Sequence, residues 1–144
     1  MTSKVISEVN DIFEVLNERI RGYEKARDNV QSPEYKSLFE KYVAQSRSFE
    51  QELAPFSDRT PEEVGTRAKG DLWRFWMDIK DALTSDSDEA MLKASINGEE
   101  AAIDQYQDVL EDRDLPTNLR ARLDQQLVEI RAAHGNLVRL RDIE

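Results

Sequence analysis

Two side chains in this sequence are the candidates for chemistry: Glu99 and the sole histidine, His134. Glu99 lies within DSDEAMLKASINGEEAAIDQYQDVLED, residues 86–112. At ~100° per residue, Leu92, Ser95, Ile96, Ala102, Ile103, Tyr106 and Leu110 fall within roughly 60° of it, so the carboxylate is expected to point inward. An ionised carboxylate facing an apolar interior is costly unless it is hydrogen-bonded, paired with a cation, bound to a metal, or protonated. His134 is expected at the centre of the last apolar stripe, within roughly 60° of Leu123, Leu127, Ile130, Leu137 and Val138. A Glu99 to His134 pair would satisfy both groups. Counted from the turn near Asp114, the two differ in height by about 7 Å at ~1.5 Å per residue. A direct bond then needs helix stagger, and a water or a metal is equally able to bridge. Two readings stay open: a structural polar pair with no cofactor, or a reduced site for iron, manganese or zinc, with Gln126 and Glu129 as helpers.

Other chemistry is hard to find. Glu24 and Glu50 sit toward the rims of their stripes and are expected to be solvated, and their heights differ by some 15 Å, too far to serve one metal. One histidine without cysteine cannot close a zinc site, and five scattered glycines make no phosphate cradle. No nucleophile triad is visible. An enzyme of the common hydrolytic or transferase kinds is not expected.

The elements that must position Glu99 and His134 follow from periodicity. Val5, Val9, Ile12, Phe13, Leu16, Ile20, Tyr23 and Val30 recur at helical spacing, which predicts a helix over 3–30. Ser32 as a cap and Pro33 in the first turn open a second helix, 33–54, which Pro55 closes. The connection that follows is long. In it, Thr60 and Glu63 read as a capping box, and a short helix over 71–83 gathers Trp73, Phe75, Trp76 and Met77. That short helix reads as a lid over the other helices, or as a patch for a protein partner, because Trp and Met are enriched at interfaces. Asp86 as cap with Glu89 opens a third long helix, 87–112, and Pro116 a fourth, 116–142. Two tight hairpins joined by a long crossover predict one all-α domain, 1–144, a four-helix bundle with its second and third helices parallel.

The 144 residues suffice for a substantial core, roughly two-thirds of the unfolded surface. Thirty acidic residues against 20 basic ones give a formal charge of -10, which argues against nucleic acid or an anionic membrane as partner. Glu8, Asp11 and Glu14 interrupt what would be the apolar core of a signal peptide, so a cytoplasmic protein is expected. A broad bundle face also leaves a homodimer open.

SPEYKSLF at the start of the second helix, WMDIKDAL in the crossover, NGEEAAIDQY in the third helix, the DLP link and IRAAH in the fourth together carry a resemblance. The chain resembles a bacterial family of uncharacterised four-helix-bundle proteins in the ferritin-like superfamily. The resemblance implies a ferritin-like bundle and a stress-related or undefined role. Ferritin-like di-iron proteins take a Glu from each of two helices and a Glu-x-x-His from each of the other two. Carried onto this chain, Glu99 and His134 match. Arg131 stands three positions before the histidine in place of Glu, the second-helix pair falls on Ser46 and Phe49, and the first-helix Glu falls on Phe13 or, one residue off, Glu14. Most of the ligand set is therefore missing, which argues against oxidase, peroxidase or iron-storage activity.

Overall fold

The computed structural model describes residues 2–66, 78–82 and 87–144, and every regular element among them is helical. Four long helices dominate: α1, Ser3–Asn29; α2, Pro33–Leu53; α4, Asp88–Leu110; and α5, Thr117–Ile143. A 3-10 turn at Ala54–Phe56, the short α3, Pro61–Val64, and a helical segment at 78–82 lie between α2 and α4. None of the described helices is long and apolar enough to cross a membrane.

The local signals act as their chemistry dictates. Thr2 accepts from the backbone N–H of Val5, and Ser32 from that of Tyr35, with Pro33 in the first turn where its missing donor is harmless. Thr60 and Glu63 form the reciprocal box, each side chain accepting from the other's backbone N–H at 3.2 Å. Gly65 ends α3 at φ 73°, in the left-handed region. One cap differs from expectation: α4 opens on Ser87, which accepts from Ala90 N–H, while Asp86 lies outside the described residues.

Asp88 fixes how the hairpins meet. Its two oxygens accept from the backbone N–H groups of Gln31 at 2.8 Å and Ser32 at 3.0 Å, so α4 starts beside the link between α1 and α2. At the other end, Lys4 at the start of α1 lies 3.6 Å from Asp112, just past the end of α4. α1 and α4 therefore run antiparallel, and α2 and α4 run the same way. α1 packs against α2 and α4, and α5 against α4 and α2.

The apolar interior falls into two clusters. One holds Val5 to Leu16, Phe49, Leu53, Ala101 to Val109, and Leu115 to Ile130. The other holds Ile20 to Val30, Tyr35 to Val43, Met91 to Ile96, Ala133 and Leu137, with Ile79 and Ala82 of the connection packed on it. On each long helix the boundary falls within the same two turns. Trp73, Phe75, Trp76 and Met77 lie outside the described residues.

Candidate functional site

The boundary between the clusters is occupied by charge. Arg19 on α1 and Glu99 on α4 are 2% and 1% exposed, and they form a bidentate pair: Nε donates to Oε1 at 2.7 Å and Nη2 to Oε2 at 2.8 Å. The third guanidinium nitrogen, Nη1, donates to Ser46 Oγ of α2 at 2.9 Å, and Ser46 in turn donates to the carbonyl of Tyr42 at 2.8 Å. Two rings close the cage, with the guanidinium carbon 5.4 Å from the Tyr23 centroid and 5.5 Å from that of Tyr42. Tyr23 also stacks on Phe39 at 5.5 Å. Planar guanidinium geometry suits this arrangement, since one group meets a carboxylate fork, a hydroxyl and two π-faces at once.

The electrostatics favour a fixed charge pair. Burial works against the charge on Arg19, but the Glu99 carboxylate more than offsets it and raises the guanidinium's hold on its proton. Burial, then the Glu99 charge, pushes the Tyr23 hydroxyl well above the ordinary tyrosine range, and burial likewise raises Tyr42. Both Glu99 oxygens are engaged, and arginine does not release a proton in a protein. The centre thus supplies neither a free base nor an exchangeable acid.

His134 is not in this layer. Its side chain is 26% exposed and its Nε2 lies 3.1 Å from Glu100 Oε2, on the outer side of α4. The correction has a geometric cause. The buried stripe of α5 runs through Leu119, Leu123, Gln126, Ile130, Ala133 and Leu137, and His134 lies about 60° off its centre at ~100° per residue. Half-buried Val138 had drawn the expected stripe toward the histidine. The structure therefore does not bring Glu99 and His134 together.

Gln126 is fully buried but is committed elsewhere. It accepts from the Tyr106 hydroxyl at 2.7 Å and donates to Phe49 O and Glu52, while Glu129 is half-buried. Glu24 pairs with Arg47 at 3.1 Å at the surface, as expected. Glu50 is a second correction: it is 8% exposed rather than solvated, with one oxygen lacking a hydrogen-bond partner. Burial, then the Glu62 charge, pushes its carboxyl up to about 7.

The ligand positions implied by the ferritin resemblance do not fit a di-metal centre. Phe13 and Phe49 belong to the apolar core, Arg131 is exposed, and Glu14 is half-buried. Ser46 and Glu99 hold a guanidinium between them. Among the described residues, no group of three or more His, Cys, Asp or Glu is placed to hold a metal ion.

Arg19 is the residue that the sequence reading passed over, although a signal was present. Ile12, Leu16, Arg19 and Tyr23 follow one another at four, three and four residues, which puts Arg19 in the middle of the buried stripe.

A family model described as a domain of unknown function (DUF2383) matches residues 4–112, which span α1 to the end of α4. Neither a curated protein nor a solved structure matches the chain.

Proposed function

From a chain that belongs to the DUF2383 family, whose function is undefined, we propose a ferritin-like four-helix bundle that acts without catalysis, in a stress-associated or protein-interaction role in the bacterial cytoplasm. The common direction of α2 and α4, with a long connection between them, supports the ferritin-like assignment. A formal charge of -10 supports protein partners over nucleic acid or anionic lipid.

One observation carries the non-catalytic reading: the Arg19 guanidinium joins Glu99 to Ser46 at the middle of the helices. A di-metal protein balances its central carboxylates with metal ions. Here an arginine, charged at every accessible pH, balances the one that remains, and a metal at Glu99 would have to displace it against like-charge repulsion.

Elemental analysis of protein purified without chelators tests the reading. Iron, manganese and zinc are expected well below one equivalent in both the wild type and His134→Ala. Stoichiometric metal in the wild type that disappears in His134→Ala would overturn it in favour of a reduced metal site.

A further inference from the structure

Far from Asp88, the first turns of α1 meet the link between α4 and α5. Arg120 closes that link by donating to the carbonyls of Leu110, at 2.9 Å, and Asp112. Lys4 and Glu8 are four residues apart and so share one face of α1. Asp112 Oδ1 lies 3.6 Å from Lys4 Nζ and accepts from the backbone N–H of Asp114 at 2.9 Å. Its other oxygen, Oδ2, is buried without a conventional donor, and so is Glu8 Oε1. Lys4 reaches Asp112 from one turn before Glu8, so these two donorless oxygens lie along one seam. Ionised carboxylates only accept, so two buried carboxyl oxygens on one seam with no donor between them call for a proton.

We propose that Glu8 and Asp112 share one proton, making the seam between α1 and the α4–α5 link a proton-dependent clasp that loosens as the solution turns alkaline. The surrounding charges are few. Lys4 on α1 favours ionised carboxylates, Asp11 on α1 opposes ionisation of Glu8, the link contributes Asp112 with the Asp114 amide, and α5 brings the Arg120 guanidinium to the Asp112 carbonyl. Burial, then the bond to Asp112, pushes Glu8 up to about 7, whereas the bond from Glu8, then the Asp114 amide, holds Asp112 below the usual carboxylate range. The proton therefore resides on Glu8. Because Glu8 is raised, the clasp is complete below the ordinary glutamate range and is lost as pH rises through about 7. Val5 and Val9, both buried, keep α1 seated, so the loosening is confined to its first turns.

Hydrogen exchange of the amides of residues 6–10, at about pH 6 and about pH 8.5 and corrected for intrinsic rates, reads the clasp directly. In the wild type, protection is expected to fall roughly tenfold between the two, the equivalent of one pKa unit. Glu8→Gln should keep its protection at both, because its amide donates to Asp112 at any pH. A carbon NMR titration of the Glu8 carboxyl should give a midpoint near neutrality. The proposal is overturned by wild-type protection that does not change with pH, by Glu8→Gln losing protection as the wild type does, or by a Glu8 midpoint in the ordinary glutamate range.

Discussion

Removing either member of the central pair should cost far more than removing both. Arg19→Met leaves the Glu99 carboxylate with no cation in a site where it is 1% exposed, and Glu99→Leu leaves the guanidinium with only Ser46 and two rings. Breaking a buried pair from one side costs about 3–5 kcal/mol, mostly the desolvation of the charge left behind. At a urea m-value of about 2 kcal/mol/M, that moves the unfolding midpoint down by about 1.5–2.5 M. A domain stable by roughly 5–15 kcal/mol leaves most of that range measurable. The double variant Arg19→Met/Glu99→Leu buries no charge. Ser46 loses a donor but still donates to Tyr42 O, and the two rings keep apolar neighbours. Its stability should lie within about 1 kcal/mol of the wild type or above it, as in other buried pairs replaced by apolar residues of similar volume. Equilibrium urea unfolding of all four proteins closes the cycle. Single variants that each lose less than about 1 kcal/mol, the range of exposed pairs, would refute the reasoning, and so would a double variant as weak as the sum of the singles.

Two further predictions concern other buried polar groups. Glu50 is raised to about 7 from 4.5, so its native-state advantage is complete below the ordinary glutamate range and is lost as pH rises through about 7. Glu50→Gln should therefore be more stable than the wild type at about pH 8, by about 1–2 kcal/mol after discounting for partial solvation, with the gap closing below about pH 4.5; a gap independent of pH would contradict this. Tyr106→Phe strands the buried Gln126 carbonyl oxygen, and thermal unfolding should show a loss of about 1–3 kcal/mol, or about 2–4 °C for each kcal/mol. An unchanged melting temperature would mean that Gln126 finds another donor.

Helix positions were legible because each rests on short-range signals. Ser32 with Pro33, and Thr60 with Glu63, specify their helix starts within one turn of sequence. The inward aim of Glu99 was legible too, since seven flanking residues set its face. Its partner was not, for two physical reasons. Arg19 is 80 residues away, and pairing across α1 and α4 depends on helix rotation, which periodicity fixes only to within tens of degrees. Ranking arginine as a surface residue by type also concealed it, although its place in the stripe was as central as that of Leu16. His134 shows the same limit from the other side: an error of about 60° moved it from the interior to the face of Glu100.

The charged waist between the two apolar clusters limits how the helices can slide past one another. Leucine-lined rods tolerate being shunted past each other, because one greasy neighbour replaces another. Moving α4 along α1 by a single turn, ~5.4 Å, would set Ser95 or Ile103 against the guanidinium and leave Glu99 facing aliphatic side chains with no counter-charge. Arg19 and Glu99 therefore act as an index pin: one alignment of the two hairpins is allowed, and its nearest sliding neighbours are excluded by the cost of a stranded ion.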